Sequence, residues 1–310
     1  MQAGLVPRRI LPVIVLSQFA GTSLWFAVNA VMPDLQRAWG LPASAVGALT
    51  AAVMLGFVVG TLVFALLMVA DRLAAPRVFM LCALLGALAN ASMVWADGSL
   101  SVLLVLRFVV GFLLAGIYPV GMKIAASWYR SGLGAALGVL IGALVLGTAL
   151  PYGLRALAGG AGGLAAVSWQ TVVLAVSVLA ALGGVVTGLM VPLPAQATRS
   201  APLSPRALAS VWTDRRLRAS VFGYFGHMWE LYAFIVLVPL ILSTRLTSTT
   251  SVSGWAFWVI GAGLAGCVGG GLLVRRAGGA RVAQVQLATS AACGLVAPWM
   301  LLAAYWIRMS

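Results

Sequence analysis

Charged side chains are scarce in this chain of 310 residues, where they make up only 8% of the total. A soluble domain carries about 25% charged residues, whereas the mean hydropathy here is +1.09. A soluble domain of about 300 residues still leaves about a quarter of its unfolded surface exposed to water, and the polar side chains here are too few to cover it. The shortage of charge therefore excludes a soluble globular protein and favours a chain that folds in lipid.

The residues that usually carry catalysis are also few. The chain has one histidine and three cysteines, and each cysteine lies in a separate apolar run without a CxxC partner. Neither a disulfide nor a metal site is therefore expected. The sequence contains no HExxH, GxSxG or P-loop motif, so we predict neither an enzyme nor a bound cofactor.

The net charge of +14 is of the kind seen in nucleic-acid-binding proteins. Here, however, the basic residues lie in short loops between apolar runs and form no stripe on a soluble face. We therefore expect the lipid bilayer as the partner, and no nucleic acid.

Long apolar runs fill most of the chain. About 20 apolar residues cross the hydrocarbon core of a bilayer, and backbone in hydrocarbon must satisfy its own hydrogen bonds, which leaves helices or closed barrels. The runs are continuous rather than alternating, so an all-α membrane protein is predicted. We predict nine spans, near residues 10–32, 44–69, 77–96, 99–122, 132–153, 169–191, 219–242, 253–274 and 282–306.

Basic residues are distributed unevenly over the loops between these runs. When the loops are assigned alternately to two sides, fourteen basic residues fall on the side of the N-terminus and four on the other. The positive-inside rule then places the N-terminus in the cytoplasm. One lysine against eighteen arginines is typical of a GC-rich bacterial gene, so we expect the cytoplasmic (inner) membrane of a bacterium.

Two segments allow more than one interpretation. The first run follows Arg8 and Arg9 like a signal peptide, but its length and the eight runs after it favour an uncleaved helix. The proline-rich stretch 192–218 divides a six-helix part, 1–191, from a three-helix part, 219–310. Within this stretch Ser204-Pro205 resembles a helix start, so it is either a short helix on the anionic leaflet or a solvated linker.

Several motifs resemble those of one large transporter family. Trp25 and Trp229 lie 204 positions apart, as do Arg72 and Arg276, which suggests a parallel duplication of a six-helix unit. The loop after the second run, the Arg-x-x-x-Gly motif of the fourth and the glycine-proline pattern of the fifth together resemble the major facilitator superfamily. The stretches that carry the resemblance are 71–77, 107–111, 134–153, 23–27 and 226–232; the last two are similar to a bacterial subgroup often labelled nitrate/nitrite-transporter-like.

The resemblance implies an MFS-like helical bundle that moves a small solute by alternating access, coupled to protons. Members usually have twelve spans, whereas nine are predicted here. The chain is then either truncated or a reduced variant that works with a partner supplying the missing helices. The alternative function is a non-transporting sensor or a degenerate transporter.

Three ionisable residues are predicted well inside spans: Arg107, His227 and Glu230. Such residues are costly in a membrane and usually face a cavity or a partner. The resemblance implies that the fourth and seventh spans, which carry all three, line the central cavity. We expect Glu230 and His227 to exchange a proton. The alternatives are a structural Arg107–Glu230 ion pair, and binding of an anionic solute by Arg107.

Further polar and aromatic residues are secondary candidates. Asn29, Tyr118, Trp25 and Trp229 could line the cavity, although packing against a neighbouring helix or anchoring at the interface is the simpler role. The resemblance implies that Asp71, Arg72 and Arg77 form a cytoplasmic gate. The alternative is that these are ordinary positive-inside loop charges.

Overall fold

The structure, a computed structural model, describes residues 7–129, 132–160, 168–193 and 205–309. Every regular element in these ranges is a helix, as predicted. In chain order the α-helices are α1 (Ile10–Thr22), α2 (Ala27–Trp39), α3 (Ala45–Leu66), α4 (Val69–Arg72), α5 (Ala75–Ala91), α6 (Leu100–Leu114), α7 (Tyr118–Trp128), α8 (Leu133–Gly160), α9 (Trp169–Met190), α10 (Pro205–Thr213), α11 (Arg215–Ser243), α12 (Thr249–Gly261), α13 (Gly263–Ala277) and α14 (Gly279–Met309).

Eight stretches of the described chain are helical, long and apolar enough to cross a membrane, and they match the first eight predicted spans. The predicted ninth span lies within α14, and its crossing stays a prediction. Below, the N-terminal end of the bundle is the end at Arg9, Arg72 and Arg276, and the distal end is the one at Trp39 and Ser243.

The eighth span consists of α12 and α13, which meet at exposed Ala262. The first and fourth spans are interrupted at buried positions: residues 23–26 separate α1 from α2, and residues 115–117 separate α6 from α7. Pro119 lies in the first turn of α7, where its missing N–H costs nothing. A break inside a span leaves backbone groups that need other partners in hydrocarbon, so both breaks must lie within protein.

The fifth span is longer than predicted. The predicted span ends at residue 153, but α8 continues through Pro151 to Gly160. Arg155 therefore lies inside a helix rather than in a loop, and only 11% of its side chain is exposed. The predicted position of Arg155 in a loop is therefore wrong.

Residues 194–204 of the linker lie outside the described ranges. After it, α10 forms a nine-residue helix, in agreement with the helical alternative for this segment. Asp214 then caps α11 by accepting hydrogen bonds from the backbone N–H groups of Arg216 at 2.8 Å and Leu217 at 3.2 Å. This cap starts α11 four residues before the predicted span.

Glycine allows close contact between the six-helix part and the helices that follow it. Gly138 on α8 faces Gly271 on α13, and a Cβ added at Gly271 would lie 2.7 Å from the carbonyl oxygen of Gly134 and 2.8 Å from Cα of Gly138. Helices with small residues at the contact can approach backbone to backbone in a membrane. Larger side chains at this crossing would separate α8 from α13.

We predict that Gly271→Ala lowers the melting temperature in detergent, because the new methyl group meets rigid backbone. Overpacking of this kind costs about 1–3 kcal/mol of unfolding free energy. Gly269→Ala on the same helix is the matched control, since nothing lies within 4 Å of an added Cβ there. Equal melting temperatures for the two variants would contradict the close contact.

Candidate functional site

Arg107 on α6 is completely buried and holds the break in the first span. Its guanidinium donates to the carbonyl oxygen of Leu24 at 3.0 Å and to that of Trp25. In an uninterrupted helix these carbonyls would accept from backbone N–H groups four residues later, so the break frees them. Arg107 thus satisfies acceptors that would otherwise be unpaired in the interior.

Four aromatic rings gather beside this break. The ring of Trp25 lies 4.7 Å from Phe57, 6.3 Å from Tyr118 and 5.8 Å from Tyr232, measured between ring centroids. Phe57 and Tyr118 are 6.3 Å apart and stacked. Three of the rings belong to the first six spans, and Tyr232 belongs to α11. We call these four residues the aromatic cluster; they connect the two parts of the bundle at mid-depth.

A cavity of about 370 Å³ lies between the aromatic cluster and the distal end. This volume is within the range of small-molecule sites, about 300–1,000 Å³. Asn29 and Val236, each four residues beyond a ring of the cluster, are among its lining residues, so the cluster lies about one helical turn below them. Its walls come from both parts of the bundle: α2, α3 and α8 on one side, α11, α12 and the loop between them on the other.

A charged network reaches the cavity wall through Arg155. Arg155 on α8 donates from Nε to Asp34 on α2 at 2.7 Å and from Nη1 to the hydroxyl of Ser253 on α12 at 3.1 Å. Asp34 also pairs with Arg37 at 2.5 Å. Arg155 therefore joins three helices, of which α12 belongs to the second part of the chain.

Glu230 and Arg107 do not meet in this structure. Glu230 is half-buried and accepts a hydrogen bond from the hydroxyl of Ser290 on α14. Arg107 has no ion pair with Glu230, or with any other carboxylate, in the described part of the chain. The alternative of a structural Arg107–Glu230 pair is therefore wrong for this conformation, because backbone carbonyls already occupy the guanidinium.

The other residues of the predicted site are scattered. His227 and Trp229 lie on the surface of α11, the latter with 81% of its area exposed. Asn29 lines the cavity and also donates to Thr50 at 2.8 Å. Tyr118 and Trp25 lie in the aromatic cluster.

At the N-terminal end, Asp71 forms an ion pair with Lys123 on α7 at 2.5 Å. This pair joins the helical turn α4 to the fourth span, within the first six spans. Arg72 and Arg77 are exposed, and no ion pair of theirs occurs among the described residues. The gating role of these three residues stays a prediction.

Sequence reasoning missed the residues that define the cavity. The predicted spans place Asp34 and Arg155 in loops and Ser253 at a span end. Phe57 and Ser290 were not singled out, and Tyr232 was noted only as the last residue of the stretch 226–232. One available signal was the i, i+3 spacing of Asp34 and Arg37, which is typical of a helix that continues beyond Pro33.

Comparison with known proteins decides the family. The family model described as Major Facilitator Superfamily matches residues 14–309. The chain belongs to the major facilitator superfamily. A search of curated proteins gives no significant match.

Among solved structures, this superfamily member is similar to the MFS proton:xylose symporter XylE bound to 6-bromo-6-deoxy-D-glucose. The identity is 12% and the TM-score 0.48, and the match covers 87% of this chain and 54% of the symporter. The chain thus spans about half the length of that protein. Family membership supports a multi-pass membrane protein of a class that moves small solutes and is typically not enzymatic; the bacterial subgroup is not confirmed.

We predict that Arg107→Met lowers the unfolding free energy by about 2 kcal/mol or more, since two buried carbonyls lose their donor. Arg107→Lys should retain only part of this unfolding free energy, because one ammonium lacks the planar, forked donor geometry with which the guanidinium bonds both carbonyls. Thermal melting in detergent measures both changes.

Arg72→Met is the matched control, since Arg72 is exposed. If Arg107→Met melted like Arg72→Met, Arg107 would not hold the break in the first span.

Proposed function

We propose that this protein is a secondary active transporter that moves a small solute across the bacterial inner membrane by alternating access. The observation that carries the proposal is the 370 Å³ cavity between the two parts of the bundle. A cavity walled by both parts changes shape when they rock against each other, which is the motion of superfamily transporters. The positive-inside rule makes its distal end the outer one.

The aromatic cluster supports this proposal as the barrier beneath the cavity. Trp25, Phe57 and Tyr118 come from the first four spans, and Tyr232 comes from the seventh. In the proposed cycle, the solute enters from outside, and separation of Tyr232 from the other three rings opens the route inward. The paired glycines at Gly138 and Gly271 provide a smooth contact for such a movement.

Glu230 is the residue we propose for proton coupling. It is an acidic side chain inside a span, where a carboxylate is costly unless it is paired. Its partner is the neutral hydroxyl of Ser290 rather than a cation. A carboxyl in such surroundings can take up and release a proton when the helices around it move, and His227, one turn away, is the proposed exchange partner.

The test is uptake by proteoliposomes with an acidic exterior, using labelled nitrate, phosphate, acetate, succinate and xylose in parallel. We expect saturable accumulation of at least one of these solutes, abolished by a protonophore. Glu230→Gln should abolish accumulation driven by the pH gradient, because an amide carries no exchangeable proton. Thermal stabilisation by a solute that no vesicle accumulates would instead support the sensor.

Asp97→Asn is the matched carboxylate-to-amide control, since Asp97 is exposed. Its left-handed backbone, φ 47°, also suits asparagine. Uptake by this variant should equal that of the parent protein. Proton-driven uptake that survives Glu230→Gln would refute the coupling role.

A further inference from the structure

Among the described residues that line the cavity, Arg155 is the only charged one. Its partner Asp34 is not one of the lining residues, so the charge presented to a solute is positive. Asp34 is shared between Arg155 and Arg37, and two guanidiniums against one carboxylate leave a local charge of +1. A cavity of this kind attracts anions and repels cations, and its apolar walls strengthen the effect by lowering the local dielectric.

Some of the N–H donors of the Arg155 guanidinium are not used in hydrogen bonds to described residues. Arginine carries five N–H donors, and its recorded bonds use one to Asp34 and one to Ser253. Three N–H groups therefore have no acceptor among the described residues. Hydroxyl and amide groups from both parts of the bundle share the cavity with them: Asn29, Gln36, Ser243, Thr247, Thr249 and Ser253.

A second observation concerns the aromatic cluster below. The indole Nε1 of Trp25 and the Nε of Arg107 are buried and have no hydrogen-bond partner in the described structure. Both are donors, and they belong to two residues in direct contact, since Arg107 bonds to the backbone of Trp25. An unpaired buried donor is costly and is relieved by an acceptor. The barrier thus offers donors to the same kind of solute that the cavity attracts.

We propose that Arg155 anchors a binding site for small anionic solutes. A bound anion replaces the carboxylate of Asp34 as the acceptor for the guanidinium of Arg155. This inference rests on the proposed transport function and names the class of its substrate: a carboxylate or oxyanion that accepts charge-assisted hydrogen bonds. When the anion binds, the Asp34–Arg155 bond loosens. The bound solute then takes part in the contact between α2, α8 and α12. Binding of the solute therefore affects both parts of the bundle.

The test is binding in detergent, which requires no transport. Thermal melting of the purified protein is followed against increasing nitrate, phosphate, acetate, succinate, xylose and choline. We expect one or more of the anions to raise the melting temperature of the parent protein, and neither xylose nor choline to do so. Arg155→Met should weaken the response to that anion at least tenfold in concentration.

Arg245→Met is the matched control. Arg245 is an exposed arginine in the loop between α11 and α12, at the same end of the bundle, and it does not line the cavity. Its anion response should match that of the parent protein, which separates the cavity site from a general effect of salt on basic residues. Equal weakening in Arg245→Met and Arg155→Met would overturn the proposal.

Asp34→Asn tests the exchange in the opposite direction and keeps the proposal falsifiable if Arg155→Met does not fold. Without the competing carboxylate, Arg155 should bind the anion several-fold more tightly. A weaker or unchanged response in Asp34→Asn would contradict the exchange, and stabilisation by xylose alone would contradict the anionic class. Anion binding that depends on Arg155, together with vesicles that accumulate no solute, would sustain the site and refute transport.

Discussion

The pair of hydrogen bonds from Arg107 to the broken first span is the interaction on which the rest of this architecture depends. A helix interrupted in hydrocarbon exposes carbonyls that water cannot reach. Arg107 donates to two of them, at Leu24 and Trp25, and so makes the break stable where it stands. The cost of burying one guanidinium is offset because its charge meets oriented carbonyl dipoles at the C-terminal end of α1.

The break also determines where the working surfaces lie. Trp25 sits at the turn itself, where its ring can meet Phe57, Tyr118 and Tyr232. Beyond the turn, α2 presents Asn29 to the cavity and Asp34 to Arg155. One local departure from helical geometry thus connects the aromatic cluster, the cavity and the charged network. The glycine crossing of α8 and α13 lets the second part of the chain close the opposite wall.

The sequence predicted the helical class and eight of the spans, because hydrocarbon thickness and backbone hydrogen bonding leave few choices. It also singled out Arg107 and Glu230, since an ionisable group in a span is rare and needs a reason. The hydrogen-bond partners of these two residues could not be predicted from the sequence. Residues 23–26 contain no proline or glycine that would predict the break, and Ser290 resembles any other small residue of a membrane helix. Arg155 was missed because it lies two residues beyond the predicted end of the fifth span, whereas α8 continues through Pro151 to Gly160.

The central claim is that the distal and N-terminal ends of the bundle open alternately around the cavity. Electron paramagnetic resonance distances between two pairs of spin labels test it most directly, one pair at Arg37 and Thr247 at the distal end and the other at Leu73 and Ala277 at the N-terminal end. Both pairs span the two parts of the chain. We expect two populations for each pair, and a change in pH or solute should shorten the distal distance while it lengthens the other. A single unchanging distance for both pairs under all conditions would contradict alternating access.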